Sequence, residues 1–383
     1  MWSKDNHQGQ KRRLSALDEQ LWNGTLELPY PANNKKHDER AEIPEHWTLL
    51  HIPKTAGDSL MLDAPKHLPI GTTLTGNCES SLARTKKDAP IVVLLREPTS
   101  HVLSQFLECK YDWWGKAQTN GTSFPGMGKL DDVMGGFDAW IKHFVDIARH
   151  RKYGPSVAFN CYDPYNMQAR YLAAGVSLSG AHLTRQRKDR FPSVTAAKKK
   201  LMQQVQVVGI VKHYPASICL LEYHAMGGQL VTPECQVCDE TTQKISLATS
   251  DALFHEAHDV PPHSISMISN ATRAIIEGEM TRVDKELYRA GLKLFQQEVD
   301  AVYEATGVDL LCRPPQQMLK GAAKSGKRNS SEKRLILPPT RTSRQLGVIY
   351  QLALITGLLG LVTWVFVFAP RQRRRNRRHV GRR

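Results

Sequence analysis

Cysteine is scarce in this chain, and its scarcity excludes one class of protein. Seven cysteines in 383 residues are too few for a small scaffold stapled by disulfides, and their number is odd. A lumenal, oxidising compartment would permit one to three bridges among them, with pairings that the sequence leaves open. The seven lie at positions 78, 109, 161, 219, 235, 238 and 312.

Excess positive charge is missing from most of the chain, although the formal net charge is +15. Residues 371–383 hold eight arginines and no acid, and residues 313–345 hold nine lysines or arginines and one glutamate. These two segments account for the whole excess, so the rest of the chain carries about one negative charge. The main body therefore lacks the basic surface of a nucleic-acid-binding protein, and we expect no nucleic-acid partner.

A long uncharged apolar run follows the first basic segment. It covers the 24 residues 346–369 (LGVIYQLALITGLLGLVTWVFVFA), and a helix of this length spans the ~30 Å hydrocarbon core of a bilayer. The sequence thus predicts a C-terminal transmembrane helix. A basic juxtamembrane linker at 313–345 precedes it and an arginine-rich tail at 370–383 follows it.

Two signals for membrane orientation disagree. The arginines directly after the span favour a cytosolic C-terminus and a lumenal main body, and four N-glycosylation sequons agree, at Asn23, Asn120, Asn270 and Asn329. The first 20 residues, however, contain no apolar segment of the kind that a signal peptide needs. Either a further N-terminal part precedes this chain, or the protein is tail-anchored with a cytosolic body. We favour a lumenal body of the Golgi type.

Alternating apolar and amphipathic segments predict an α/β domain over residues 41–312. The runs at 49–52, 91–95 and 205–211 have the length and apolar content of buried strands. Residues 283–302 instead place apolar side chains at helical spacing. Strands that alternate with helices indicate a mainly parallel sheet with helices on both faces.

Two polar segments predict no regular structure. Residues 1–40 are polar and aperiodic, which indicates a flexible N-terminal segment. Residues 115–137 are rich in Gly, Ser and Asn, which predicts a long loop or insertion within the domain.

One strand-turn-helix segment has the composition of an anion site. In HIPKTAGDSL, residues 51–60, an apolar strand ends, Lys54 follows, and a short helix begins near Gly57. Backbone N–H groups at such a turn bind phosphate. A Walker A loop has its lysine after the second glycine, whereas Lys54 precedes Gly57, and Arg96 rather than an aspartate follows the next apolar strand. These differences argue against an NTPase loop that holds Mg²⁺.

HIPKTAGDSL resembles the 5′-phosphosulfate-binding loop of membrane-bound carbohydrate sulfotransferases. IVVLLREPTSHVLSQF, residues 91–106, is similar to the 3′-phosphate-binding element of that family, in which a strand leads to Arg, an acid and Pro, with Ser eight residues after the Arg. Three further similar stretches follow in the family's order: NMQARYL (166–172), VVGIVKHYPASICLLEY (207–223) and VDKELYRAGLKLF (283–295). The resemblance covers about residues 45–310 and implies a P-loop-like three-layer α/β fold.

The resemblance also implies a reaction. The donor would be 3′-phosphoadenosine-5′-phosphosulfate (PAPS), and the products adenosine 3′,5′-bisphosphate (PAP) and a sulfated glycan. Lys54 would neutralise the phosphosulfate and stabilise charge on the bridging oxygen as the sulfuryl group leaves. Arg96 would bind the 3′-phosphate through its forked guanidinium, and Ser104 would donate a second hydrogen bond. The 5′-phosphosulfate would also contact the loop residues Thr55, Ala56, Gly57, Asp58 and Ser59.

The base that would deprotonate the acceptor hydroxyl is left open by the sequence. The family commonly carries a histidine or glutamate on the strand after the first helix. The comparable stretch, residues 71–82, offers Asn77, which cannot act as a base, and Glu79, which can. His67 lies just upstream, and we rank Glu79 ahead of it.

Other departures from the family pattern keep a second class of protein open. Asp58 stands where the family usually has Thr or Ser, and a carboxylate there repels the phosphosulfate. Ala56 replaces a common glycine and His101 a common arginine. The alternative is a non-catalytic glycan- or nucleotide-binding protein that retains the fold. A kinase is a more distant alternative, since the Walker lysine and aspartate are missing.

A pair of cysteines hints at a metal site but has unsuitable spacing. Cys235 and Cys238 are followed by His255 and His258, with gaps of 16 and 19 residues after Cys238. Zinc fingers use gaps of about 12–15 residues. The sequence therefore favours a disulfide or a pair of free thiols here, and we expect no metal.

Overall fold

The computed structural model describes nine stretches of the chain. They are residues 44–76, 81–85, 89–118, 130–150, 161–173, 191–236, 238–239, 244–245 and 260–313. All nine belong to one unit, Met1–Met318, and the second unit, Leu319–Arg383, contains none of them.

Four parallel strands form the central sheet, and their parallel arrangement confirms the predicted sheet type. The strands are β1 His46–Leu50, β2 Thr73–Gly76, β3 Ile91–Leu95 and β4 Val207–Ile210, in the spatial order β2-β1-β3-β4. Every residue of β3 and β4 is buried, whereas β2 lies at the edge and is mostly exposed. Strands buried on both faces read as continuous apolar runs, which is why the sequence located β3 with the correct bounds. A separate antiparallel pair consists of β5 Cys238–Asp239 and β6 Lys244–Ile245.

Ten α-helices lie within the described residues. They are α1 Gly57–Asp63, α2 Pro98–Tyr111, α3 Trp113–Gln118, α4 Phe137–His150, α5 Met167–Ala173, α6 Val194–Gln204, α7 Tyr214–Ala225, α8 Pro233–Gln236, α9 Asn270–Ile275 and α10 Arg282–Thr306. Short 3₁₀ turns cover Ala64–Lys66, Leu82–Arg84, Val211–His213 and Ile265–Met267, and a π-helical turn covers Ile276–Met280.

The connections run from β1 in two directions. The chain leaves β1 through α1 to β2 on one side, and β3 then pairs with β1 on the other side. Crossovers between parallel strands are almost always right-handed, so connections that run in opposite directions along the sheet lie on opposite faces. The arrangement is compatible with a three-layer α/β fold.

Helix α10 confirms the helical periodicity predicted for residues 283–302. Its buried side chains recur every three or four residues and include Val283, Leu287, Leu294 and Val302. Gly291 lies so close to the sheet that a Cβ atom there would come within 2.4 Å of Leu95 Cδ1. The amphipathic face of α10 therefore packs directly on β3.

The prediction of one long loop over 115–137 is wrong at both ends. Helix α3 reaches Gln118 and α4 begins at Phe137. Asp112 Oδ1 accepts a hydrogen bond from the Trp114 backbone N–H at 2.8 Å, which caps α3. Gly115 serves close packing rather than a turn, because a Cβ atom there would lie 2.4 Å from the Glu108 carbonyl oxygen. Residues 119–129 lie outside the described residues.

Among the described residues, no helix has the length and apolar character needed to cross a membrane. The predicted flexible segment 1–40, the transmembrane helix 346–369 and the tail 370–383 lie outside the described residues. So does the linker 313–345 except for its first residue.

Candidate functional site

The loop between β1 and α1 has an unusual backbone. Lys54 and Ala56 both have φ of 62°, in the left-handed region, whereas Thr55 between them does not. A left-handed conformation costs a non-glycine residue about 1–2 kcal/mol, and such residues cluster at functional sites. Alternation of left-handed and right-handed residues turns N–H groups toward one concavity in anion-binding loops. In this loop the Thr55 N–H donates to the Ile52 carbonyl at 3.3 Å. The Thr55 hydroxyl donates to the Ile52 carbonyl at 2.8 Å and so stabilises the turn itself.

Gly57 allows a histidine ring to pack against the start of α1. A Cβ atom at this position would come within 2.0 Å of His51 Cδ2, so only glycine leaves room for the ring. Burial lowers the pKa of His51, and the nearby Asp58 carboxylate partly opposes this. Asp58 Oδ1 lies 3.7 Å from His51 Nε2, and the Asp58 side chain is 72% exposed. Solvent therefore screens the repulsion between Asp58 and an anion in the loop.

Arg96, directly after β3, contacts the loop that follows β1. Its Nη1 donates to the Lys54 carbonyl oxygen at 3.1 Å, and its Nε donates to Ser100 Oγ at 3.0 Å. Burial lowers the pKa of Arg96 to about 10, which still leaves the guanidinium charged at neutral pH. The structure thus brings together the two residues that the sequence assigned to opposite ends of one nucleotide.

A side chain of α5 forms two hydrogen bonds with the backbone directly after β3. The Gln168 side chain accepts from the Arg96 N–H and donates to the Arg96 carbonyl, both at 2.9 Å. Asp284 in turn accepts hydrogen bonds from the N–H groups of Gln168 at 3.2 Å and Ala169 at 2.8 Å, at the start of α5. Burial raises the pKa of Asp284 to about 7. The NMQARYL stretch therefore positions Arg96 through its backbone.

His101 on α2 holds the loop at a second point. Its Nε2 bonds to the Pro53 carbonyl at 2.8 Å and its Nδ1 to Gln105 Nε2 at 3.1 Å, so Nε2 carries the proton. Burial lowers the pKa of His101 to about 3, and the nearby cations Arg96 and Lys54 add to this. The neutral imidazole thus braces the loop backbone where the resembling family commonly has a cation.

The Lys54 side chain pairs with Glu108, a residue that sequence reasoning missed. Lys54 Nζ and Glu108 Oε2 form an ion pair with side chains 15% and 9% exposed. Tyr162 Oη donates to Glu108 Oε1 at 3.0 Å. A disulfide joins Cys109 to Cys161, the residues directly adjacent to Glu108 and Tyr162. The disulfide thus links the segment that carries the Tyr162 hydroxyl to the helix that carries its acceptor, the Glu108 carboxylate paired with Lys54.

Helical spacing was the one signal that pointed to Glu108. His101, Ser104 and Glu108 follow one another at three and four residues on α2, so they share one face. His101 and Glu108 contact the loop residues Pro53 and Lys54, which places buried Ser104 on the same face between them.

Of the two predicted bases, only His67 lies within the described residues, and its contacts are at the far end of α1 from Lys54. His67 follows Gly57 by about ten residues, and a helical rise of about 1.5 Å per residue puts His67 about 15 Å from Gly57 along the helix axis. It is buried, with Nδ1 2.7 Å from Glu222 Oε2. Glu79 and Asn77 lie outside the described residues. Both candidate bases stay predictions.

The site lies where the sheet topology favours ligand binding. Lys54 follows β1 and Arg96 follows β3, and these neighbouring strands are parallel. The chain turns in opposite directions from β1, so the carboxyl ends of β1 and β3 flank a topological switch point. Ligands of open α/β sheets bind in the crevice at such a point.

Comparison with known proteins adds no assignment to this geometry. No protein-family model and no curated protein sequence matches the chain.

Proposed function

We propose that this protein is a sulfotransferase that moves a sulfuryl group from PAPS to a hydroxyl of a carbohydrate acceptor. The observation that carries the proposal is the hydrogen bond from the Arg96 guanidinium to the Lys54 carbonyl. It joins the candidate 3′-phosphate and 5′-phosphosulfate groups at the carboxyl ends of two adjacent strands. We also propose that the α/β domain is P-loop-like, with three layers.

Each residue of the site has a chemical part in this proposal. The acceptor oxygen would bond to sulfur as the bond between sulfur and the bridging oxygen breaks, with PAP as the leaving group. Lys54 would stabilise the charge that develops on the bridging oxygen, after exchanging Glu108 for the donor. The left-handed loop at 54–56 would direct N–H groups to the same phosphate. Arg96 would bind the 3′-phosphate, with Ser104 as a further donor.

The acceptor proton needs a base, and the site adds a third candidate to Glu79 and His67. Glu108 is a carboxylate in contact with Lys54, the residue that would face the reacting bond. A base must lie within hydrogen-bond reach of the acceptor hydroxyl or one water away. Glu108 satisfies this requirement if the sulfuryl group lies beside Lys54, whereas His67 lies about 15 Å along α1 and the turn after it.

The alternative function is a non-catalytic glycan- or nucleotide-binding protein. The ion pair between Lys54 and Glu108 favours it, because a lysine neutralised by a buried carboxylate is less available to an anion. Under either function we propose a membrane protein anchored by residues 346–369, with its main body on the Golgi lumenal side.

Thermal unfolding of the full-length chain with PAP, with ATP and Mg²⁺, or with neither tests the proposal. We expect PAP to raise the melting temperature and ATP with Mg²⁺ to leave it unchanged. Transfer of labelled sulfate from PAPS to a glycan panel then separates an enzyme from a binder. Lys54→Met combined with Glu108→Gln is the inactive control, because it leaves no unpaired buried charge. Stabilisation by PAP without transfer to any acceptor would favour the binding protein.

A further inference from the structure

A buried cluster of sulfur, nitrogen and oxygen atoms lies at the far end of α1 from Lys54. It consists of the Cys219–Cys235 disulfide, the His67 imidazole and the Glu222 carboxylate, and all four side chains are buried. Ligand atoms of His67, Glu222 and Cys235 lie within 4.8 Å of one another. The Cys219 sulfur is bonded to the Cys235 sulfur, so it is a fourth potential ligand atom in the cluster.

Three separate segments supply the cluster. Cys219 and Glu222 lie three residues apart on α7 and therefore share one helix face. Cys235 comes from α8, and His67 follows the 3₁₀ turn after α1. Cys219 and Glu222 are separated by two residues, which lies within the close spacing of paired ligands in structural zinc sites.

Hydrogen bonds orient the Glu222 carboxylate. Its Oε1 accepts from the backbone N–H groups of Val231 at 2.5 Å and Thr232 at 2.7 Å, and its Oε2 accepts from the Thr232 hydroxyl at 2.6 Å and faces His67. Burial acts to raise the pKa of Glu222, but the hydrogen bonds from His67, Thr232 and Val231 together hold it below its usual value. Carboxylates that bind metals are oriented by outer hydrogen bonds of this kind.

The separations are close to those of a tetrahedral zinc site. Bonds of about 2.3 Å to sulfur and about 2.0–2.1 Å to nitrogen or oxygen put the ligand atoms about 3.3–3.8 Å apart. Cys235 Sγ lies 3.8 Å from His67 Nδ1, and Nδ1 lies 2.7 Å from Glu222 Oε2. Zinc binding therefore requires the distance from His67 Nδ1 to Glu222 Oε2 to increase by about 0.6 Å. It also requires the bond between the Cys219 and Cys235 sulfurs to break.

We propose that reduction of the Cys219–Cys235 disulfide turns this cluster into a zinc site with Cys219, Cys235, His67 and Glu222 as ligands. Sulfurs bonded to each other offer no thiolate, so the disulfide and the zinc site exclude each other. Two thiolates, an imidazole and a carboxylate match the ligand preference of Zn²⁺. The proposal is independent of the proposed sulfuryl transfer. The expectation of a disulfide or a pair of free thiols at Cys235 and Cys238 is wrong for Cys235, because its sulfur is bonded to that of Cys219.

The chemistry of the switch balances with a phosphine as reductant. The phosphine takes the oxygen of water and becomes a phosphine oxide, while the disulfide gains two electrons and two protons and becomes two thiols. Zn²⁺ then displaces the two thiol protons into solvent. Metal binding at Nδ1 of His67 requires the tautomer that carries its proton on Nε2.

Cobalt titration of the full-length chain, before and after phosphine reduction, tests the proposal. We expect the reduced chain to bind one equivalent of Co²⁺ with a thiolate-to-cobalt charge-transfer band and the visible bands of a tetrahedral site, and Zn²⁺ to remove both. The oxidised chain gives neither band. His67→Asn and Glu222→Gln each weaken Co²⁺ binding by at least about tenfold. The matched control is Cys109→Ser with Cys161→Ser, which removes a disulfide outside the cluster and leaves the bands unchanged.

Three results would overturn the zinc site. They are equal Co²⁺ binding by oxidised and reduced chains, no stoichiometric binding by a reduced chain that circular dichroism shows to be folded, and bands unchanged by His67→Asn. The variant Cys219→Ser with Cys235→Ser is expected to lose the bands. Should it fail to fold, His67→Asn decides, because that chain folds with its disulfide and is reduced afterwards.

Discussion

Lys54 has one partner for its backbone and another for its side chain. Its carbonyl accepts from Arg96, and its ammonium pairs with Glu108. Donor binding would replace only the contact between the Lys54 ammonium and Glu108. The hydrogen bond from Arg96 would remain, because it involves the Lys54 carbonyl. In the proposed function, Glu108 would therefore compete with the phosphosulfate for the Lys54 ammonium and would lower the affinity for the donor.

Replacement of Glu108 by Gln tests this competition. The variant removes a buried negative charge beside the anion site and frees Lys54, so we predict that PAP binds several-fold to about tenfold more tightly. Isothermal titration of PAP into both chains measures the change. Tyr162→Phe is the control, because it removes the hydroxyl that bonds Glu108 and keeps the charge. Unchanged or weaker PAP binding by Glu108→Gln would contradict the competition, and tighter binding with lost transfer would assign the base to Glu108.

His101 gives the site a defined response to acid. Burial lowers its folded pKa to about 3, whereas the unfolded value is about 6.5. Between these values the unfolded chain binds a proton that the folded chain does not, so this contribution to stability is lost as the pH falls. From pH 6.5 to 5 the loss amounts to about 2 kcal/mol.

Urea unfolding of wild type and His101→Gln at pH 6.5 and 5 measures the His101 contribution. Gln keeps a donor for the Pro53 carbonyl and has no proton to gain. We predict that the stability difference between the two chains shifts by about 2 kcal/mol in favour of the variant at pH 5. Burial raises the pKa of Asp284 to about 7, so the contribution of Asp284 to stability falls as the pH rises. Both chains contain Asp284, so its effect cancels in the difference between their stabilities. A difference independent of pH would contradict the buried neutral imidazole.

The loop between β1 and α1 is shaped from outside by two elements. The end of β3 supplies the Arg96 contact and α2 supplies His101, while Gly57 admits the His51 ring from the end of β1. The short loop therefore owes its left-handed residues to neighbours distant in sequence. Motif spacing identified Lys54 and Arg96 because their chemistry is local, whereas Glu108 was missed because helical spacing does not say which cation an acid faces.

Gly57→Ala tests how tightly this loop is held. The added methyl would meet the His51 ring, so we predict a loss of about 1–3 kcal/mol in stability and PAP binding weakened by at least about tenfold. Thermal unfolding and PAP titration measure the two effects. Gly278→Ala is the matched control, since no atom lies within 4 Å of a Cβ there. Equal behaviour of the two variants would show that His51 moves aside freely.

Across the whole molecule, the sequence predicts the elements that bury apolar side chains, and it does not predict which distant residues pair with one another. The parallel sheet and α10 were predicted because buried strands and amphipathic helices leave a periodic apolar pattern. The partners of the cysteines were not, because Cys109–Cys161 and Cys219–Cys235 join residues 52 and 16 positions apart without any local signal. Residues 115–118 of α3 were predicted as a loop because Gly115, which packs against α2, reads in sequence as a turn residue.

The Cys109–Cys161 and Cys219–Cys235 disulfides differ in the length of chain that they close. Loop-closure entropy predicts that Cys109–Cys161 contributes about 4 kcal/mol and Cys219–Cys235 about 3 kcal/mol. Removal of the first pair by serine substitution should therefore destabilise the chain by about 1 kcal/mol more than removal of the second. Urea unfolding of the two double variants measures this difference. The reverse order would show that local contacts outweigh chain entropy.

In the proposed function, Lys54 and Arg96 bind the two ends of one nucleotide. Titration of PAP and of adenosine 5′-monophosphate, which lacks the 3′-phosphate, into wild type and Arg96→Gln tests this assignment. We predict that wild type prefers PAP by about ten- to a hundredfold and that Arg96→Gln loses this preference while still binding the monophosphate. A preference for PAP that survives in Arg96→Gln would contradict the claim.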